Sequence, residues 1–344
     1  MTTAMRLRYP CAMAASRSHA PVAVLVLAHD PAPLQYLLDA LDARFRIFIH
    51  MDAKTSPERL AQVGLRLPAH ATLISPRLAV FWGGFAMMRA TLALIDAALA
   101  EADFDRLVLL SGDTLPVRRP DALLDELASG HRREFIELIE VPDDPGLAHV
   151  TAPDATTRLG WVQPWRFHNR TDWDHLLLNP ATRHQAATHY GLDQSRADWL
   201  RGDAQALVQA CLDLLPPRPR MFPRLRYGSQ WWALSGATLR AIRPRLHDPA
   251  VHAWFRHMQV PDEHMIHTVL ANTLDIESVG TPVWSDLAQH AAGQHQLNAE
   301  GFRRAPHQGR QILFARKFHP DAAPDLAAAL RAGTCAGDPS GGMA

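Results

Sequence analysis

Asp262 and Glu263 stand side by side after Pro261 and just before the apolar positions Met265, Ile266, Val269 and Leu270. Proline fits the first turn of a helix, where its missing N–H costs nothing. Acidic residues beside it suit the positive end of the helix dipole. The apolar spacing predicts a partly buried helix over about 261–272, with both carboxylates in its first turn. One carboxylate there could be held by backbone donors while the other faces a cleft as a proton acceptor. The plainer reading is that both merely favour the dipole.

Four other stretches carry groups able to meet a polar ligand. In His50-Met51-Asp52-Ala53-Lys54 a carboxylate ends an apolar run, where it can accept from a base or a ribose; a solvated turn is the alternative. Trp82, ahead of Gly83 and Gly84 and followed by Arg89, reads as a stacking wall or as a core aromatic at a helix start. Ser111-Gly112-Asp113-Thr114 is a turn whose glycine could bring backbone close to a ligand. Arg316-Lys317 closes another apolar run, and a guanidinium fork with a point charge suits a diphosphate; exposed surface cations are the alternative.

The elements that must position these groups follow from apolar periodicity. Val22 to Leu27 is an uninterrupted apolar run of strand length, as in a parallel sheet covered on both faces. Leu34, Leu37, Leu38 and Leu41 repeat at helical spacing, and Ile47 to His50 is a second strand. Strand, helix, strand predicts a βαβ unit with a ligand crevice at the strands' carboxyl ends, where His29, His50, Asp52 and Lys54 fall. Further strands are expected at 71–74, 107–110 and 134–139, with helices over about 85–100 and 122–128. Beyond a stretch crowded with Pro, Trp, His and Arg (142–225, helical patches near 183–190 and 196–214), residues 227–235 read as a strand entering a helix at 237–242. Helices follow at about 249–258 and 321–331, with an apolar run at 312–318.

Thirty-five basic residues balance thirty-five acidic ones, which argues against a protein held to nucleic acid by phosphate contacts. Cys11, Cys211 and Cys335 are far apart and odd in number, so they suggest reduced thiols rather than a disulfide framework. The apolar run from Val22 to Ala28 is far short of the roughly 20 residues that span a bilayer. The expected location is cytoplasmic, with peripheral contact at the inner face of a membrane left open. Residues 1–20 and 332–344 read as flexible tails.

Six segments in order resemble one family: His50-x-Asp52-x-Lys54; Phe81-Trp82-Gly83-Gly84-Phe85 with Arg89-Ala90-Thr91; Leu109-Leu110-Ser111-Gly112-Asp113 with Leu115-Pro116; Gly228-Ser229-Gln230-Trp231-Trp232-Ala233-Leu234-Ser235; Pro261-Asp262-Glu263 with Thr268; and Phe314-Ala315-Arg316-Lys317-Phe318. Over about residues 22–320 the chain is similar to the core-2/I-branching β-1,6-N-acetylglucosaminyltransferases, a family that includes the peptide O-xylosyltransferases. The lack of a membrane anchor and stem departs from the animal enzymes and resembles a bacterial member.

The resemblance implies an α/β fold of the GT-A-like glycosyltransferase type, Rossmann-like, with a mostly parallel sheet flanked by helices. Residues 21–331 are then a single catalytic domain, 21–140 its nucleotide-sugar half and 141–331 its acceptor and catalytic half. It implies a UDP-sugar donor, a glycan or glycoconjugate acceptor, inversion at the anomeric carbon and no required metal or cofactor. Glu263 matches the catalytic base, Lys317 a diphosphate cation and Asp52 a nucleotide contact. The donor set is completed by His29, His50, Lys54, Trp82, Gly112, Asp113 and Arg316; the second diphosphate cation is sought among Arg303, Arg304, Arg310 and Arg316. Glu134 and Glu137 are expected to hold acceptor hydroxyls, and Trp231 and Trp232 to offer a sugar-stacking face, one of them being core.

Enzymes of this architecture often hold a divalent ion with Asp-x-Asp after a strand. Here the turn offers Asp113 alone, Asp143-Asp144 is a weak substitute, and the pairs His184/His189 and His264/His267 lack a third ligand. UDP-GlcNAc is the first donor reading and UDP-xylose the alternative. A binding module that has lost catalysis, and a metal-dependent transferase using Asp113, are the competing functions.

Overall fold

A computed structural model describes residues 19–128, 133–140, 221–256, 260–285 and 296–333. The helical patches near 183–190 and 196–214, Asp143-Asp144, His184, His189 and the three cysteines lie outside the described residues.

The main sheet has the order β3-β2-β1-β4-β9. Its strands are β1 (His19–Ala28), β2 (Phe45–Met51), β3 (Ala71–Leu73) and β4 (Asp103–Ser111), all parallel, with β9 (Ala233–Ser235) antiparallel to β4. The helices α1 (Pro31–Ala40), α2 (Pro57–Val63), α3 (Ala86–Glu101) and α4 (Pro120–Ala128) alternate with them. Strand β1 is central, and Val22 to Val26 are wholly buried, which is why the run shows no polar alternation. Leu34, Leu37 and Leu38 of α1 bury the helical stripe predicted for it, and Met88, Leu92, Ile95 and Leu99 are buried on α3, the helix expected over about 85–100. Asp30 caps α1, its carboxylate accepting from Ala32 N at 3.1 Å.

A second sheet, β11-β12-β5, hangs from the carboxyl end of β4. In it β12 (Phe314–Arg316) runs parallel to β11 (Val283–Ser285) and antiparallel to β5 (Leu115–Pro116). Two-stranded pairs β6 (Arg133–Glu134) with β10 (Glu277–Ser278), and β7 (Ile139–Glu140) with β8 (Arg226–Tyr227), flank the main sheet. The later helices are α5 (Gly236–Leu246), α6 (Pro249–Phe255), α7 (Met265–Ala271), α8 (Ala299–Arg304) and α9 (Pro324–Arg331). No helix among the described residues is long and apolar enough to cross a membrane.

Three elements differ from the sequence reading. The expected strand 134–139 is two short pieces, because the backbone changes partners: Val279 N donates to Glu134 O at 3.0 Å, then Phe135 bridges Ala233. The segment between β8 and β9 is irregular rather than extended. Pro261–Glu263 forms a 3-10 turn, and the α-helix begins only at Met265, since Val260 is left-handed (φ 47°) and His264 sits at φ −130°.

Glu134, expected to meet an acceptor sugar, is 1% exposed and belongs to the frame. It accepts from Arg106 Nη1 (2.9 Å), Ser235 N and Oγ (2.8 Å each) and Thr238 Oγ1 (2.5 Å). Arg106 also donates to the carbonyls of Leu127 and Arg133, both at 3.0 Å, so one buried ion pair ties α4, β6 and β9 to β4. Breaking one side of such a pair leaves an uncompensated buried charge. Glu134→Gln is therefore expected to lower stability by about 3–5 kcal/mol, read from urea unfolding; a loss below about 1 kcal/mol would contradict this account.

Candidate active site

The carboxyl ends of β1, β2 and β4 lie level. Ala28 pairs with Met51 and Leu27 with Ser111. Two backbone bonds carry the ladder one step further: Asp52 N donates to Ala28 O (2.7 Å) and Gly112 N to Leu27 O (2.9 Å). The loops that leave here line the crevice where open α/β sheets bind ligands. Gly112 is needed for chain packing, since a Cβ would meet that of Ala28 at 2.9 Å.

After β2, Asp52 is 5% exposed and both its oxygens are engaged. Oδ1 accepts from Lys54 N (2.8 Å) and Val80 N (3.4 Å), and Oδ2 from Lys54 Nζ (2.5 Å). Lys54 also donates to Val80 O and lies 4.6 Å from the Phe81 ring centre. His50 is buried and its Nε2 accepts from Leu78 N at 2.9 Å, so the ring carries its proton on Nδ1. Burial, opposed by Asp52 and aided by Arg77 and Lys54, pulls its pKa below the usual histidine value. His50 is thus a neutral latch on residues 78–80 rather than a ligand contact, which corrects that expectation. The latched loop presents Trp82, 45% exposed, at the surface, as the stacking reading requires. His29 is exposed at the end of β1, and its carbonyl accepts from Thr55 Oγ1 at 2.6 Å.

After β4, Asp113 turns to β12. Arg316 Nη2 donates to its Oδ1 and Oδ2 (3.2 and 3.4 Å), while Arg316 Nε reaches Ser111 Oγ (2.9 Å) and Asp113 Oδ1 (3.3 Å). Ser111 Oγ in turn donates to Asp113. The guanidinium lies 4.7 Å from the Trp231 ring centre. Arg316 is therefore a paired strut, and Trp231 offers that face to an arginine rather than to a sugar. Trp232 is wholly buried core.

Lys317 differs from its neighbour. It is half-buried, and its ammonium makes no hydrogen bond or ion pair among the described residues. Burial and the charge of Arg316 push its pKa below the ordinary lysine value, with Asp113 opposing. Such an ammonium is ready for an anionic ligand. Arg303 and Arg304 are exposed in the last turn of α8, and Arg310 lies 3.9 Å from Glu126; none joins the Asp113–Arg316 cluster. Among the described residues no group of three His, Cys, Asp or Glu side chains is placed to hold a metal ion.

The acidic pair divides as the sequence allowed: Asp262 is buried and Glu263 half-exposed. The turn that carries them is held at every step. Val260 N donates to Gly83 O (2.9 Å), Glu263 N to Val260 O (3.0 Å) and Gly228 N to Glu263 O (3.0 Å). A β-branched residue in left-handed conformation is strained by about 1–3 kcal/mol and persists only when its surroundings over-determine it. No sequence signal marks Val260 for this; the glycine supplying its partner carbonyl was the visible half.

Residues 228–231 connect this turn to the cations. Ser229 N donates to Glu137 Oε2 (2.8 Å), His267 Nε2 donates to Ser229 O (3.0 Å), and Trp231 seats Arg316. Gly228 packs so tightly that a Cβ would meet Glu137 O at 2.1 Å. Gly228→Ala must push the backbone at Glu137 away from residue 228, whose N–H holds the Glu263 turn. The expected result is a loss of about 1–3 kcal/mol in urea unfolding; an unchanged stability would refute this crossing.

Residues 22–147 match the family model described as Branch, Core-2/I-Branching enzyme. No curated protein matches the chain. The matched stretch holds β1 to β4 with Asp52, Trp82 and Asp113, and it ends before Glu263 and Lys317. Over that stretch, carried on a mixed α/β fold with a mostly parallel sheet, the chain is similar to the Core-2/I-branching enzymes.

Proposed function

We propose that this protein is a glycosyltransferase, one that moves a sugar from a UDP-sugar to a glycan hydroxyl with inversion and without a metal. UDP-GlcNAc is the first donor reading and UDP-xylose the second. The observation that carries the reading is Lys317: a half-buried ammonium with no partner among the described residues, beside the carboxyl ends of β1 and β4. A leaving diphosphate needs positive charge as the glycosidic bond breaks. Asp113, the carboxylate a metal would want, is already engaged by Arg316 and Ser111.

The chemistry is a single displacement. The acceptor oxygen attacks the anomeric carbon and its proton passes to the Glu263 carboxylate. The bond from that carbon to the diphosphate oxygen breaks, and the electron pair stays on the diphosphate beside Lys317. Glu263 suits the role because its turn is fixed by three backbone bonds while its side chain is half-exposed. Trp82 offers a wall for the nucleotide or the sugar, and Asp52 acts by holding Lys54.

Glu263→Gln keeps size but cannot take the proton. It is expected to cut kcat by about a hundredfold to ten-thousandfold while UDP affinity, measured by calorimetry, stays nearly intact. Transfer at close to the parent rate would remove Glu263 from the chemistry.

Lys317→Ala is expected to weaken UDP-sugar binding and slow transfer by roughly a hundredfold, about 3 kcal/mol. Both are read from UDP release over a panel of donors and acceptors, with and without EDTA. Activity lost in EDTA would assign the charge to a metal. UDP binding with no transfer to any acceptor would favour a non-catalytic binding module.

A further inference from the structure

Of the thirty-five basic residues in the chain, only two are lysines, Lys54 and Lys317, and both stand at the carboxyl ends of the sheets that frame the site. Everywhere else the positive charge is arginine. The two side chains differ physically: an ammonium is a compact point charge whose pKa moves on burial, whereas a guanidinium stays charged. Lys54 has its counter-charge in Asp52 at 2.5 Å. Lys317 has none of its own among the described residues, so whatever keeps it oriented and charged must act from next door.

Asp113 grips the chain on both sides of it. The carboxylate holds Arg316, the residue before, and the main-chain carbonyl accepts from the N–H of Phe318, the residue after, at 2.8 Å. The carbonyl of Lys317 itself accepts from Leu297 N at 2.6 Å. The backbone from 316 to 318 is thus pinned to the turn after β4. The charges are arranged in the same sense. Arg316 stands beside Lys317 and would repel its charge, and Asp113 offsets it. Burial raises the pKa of Asp113, but Arg316, Ser111, Lys317 and His29 together hold it below the usual carboxylate value, so it remains an anion at neutral pH. His319, two residues on, is turned to Asp30 at 3.1 Å.

We propose that Asp113 is the positioning residue of Lys317: it touches no substrate itself, and it orients the ammonium and keeps it charged for the diphosphate of the donor. The proposal rests on the donor reading above. An ammonium of lowered pKa binds a diphosphate below that pKa and loses it as pH rises through it. Removing the anion that opposes Arg316 moves this loss to lower pH.

The scarcity of lysine makes the test direct. The full-length protein is treated with an amine-acylating reagent over a pH series, and labelling at Lys317 and Lys54 is read by mass spectrometry. In Asp113→Asn the labelling midpoint of Lys317 is expected to fall by about one pH unit, tenfold in the protonation ratio, while Lys54 keeps its own. Asp113→Glu, which retains the charge, is expected to return the midpoint most of the way to the parent value. An unchanged Lys317 midpoint in Asp113→Asn overturns the proposal, and so does a midpoint that moves equally at both lysines. Should Asp113→Asn fail to fold, Ser111→Ala loosens the same clamp, and its smaller downward shift, or its absence, decides. UDP is added to the parent protein as a separate arm, where it should slow labelling at Lys317. A midpoint shift without UDP protection would locate the failure in the donor reading and refute the presentation of Lys317 to a diphosphate.

Discussion

Two backbone hydrogen bonds, Asp52 N to Ala28 O and Gly112 N to Leu27 O, continue the parallel ladder past the last strand residues and set the geometry of the site. Strand β1 lies between β2 and β4 with its apolar side chains buried. No polar chemistry can sit inside such a strand without a cost that only full hydrogen bonding offsets. The charged groups are therefore pushed to the strand ends, and the level ends gather Asp30, Asp52, Lys54 and Asp113 along one edge.

From that edge outward each group is fixed by its neighbour. Asp52 and His50 hold the 78–80 stretch, the loop beyond it holds Val260 through Gly83, and Val260 starts the turn that carries Glu263. On the other side Asp113 and Ser111 hold Arg316, and Trp231 lies under the guanidinium. Residues 228–231 join the two halves. Carboxylate and ammonium thus stand on separate supports, which suits a reaction that takes a proton at one place and leaves negative charge at another. Preorganised charge of this kind works without reorganising during the reaction.

Much of the frame was legible in the sequence because its signals are local. The apolar runs of β1, β2 and β4, the stripe of α1, the span of α3 and the βαβ order all read directly from the sequence. The ordered motifs pointed to the same family as the match over residues 22–147. What could not be read was pairing across the chain. Glu134 looked like a cleft carboxylate, and its partner Arg106 lies 28 residues upstream inside a buried strand. An arginine there demands a carboxylate, and that was the available clue. Trp231 and Arg316 are far apart in sequence and no spacing rule links them. The 3-10 turn at Pro261 depends on a left-handed valine, which propensity alone would reject.

The claim on which the account turns is that Lys317, at the carboxyl end of the sheet, receives the diphosphate of a nucleotide-sugar. A crystal structure of the protein with UDP bound tests it most directly. The account predicts a phosphate oxygen at about 2.7–3.2 Å from Lys317 Nζ, with Arg316 still clamped to Asp113. A diphosphate bound elsewhere, with the Lys317 ammonium left in solvent, would contradict it.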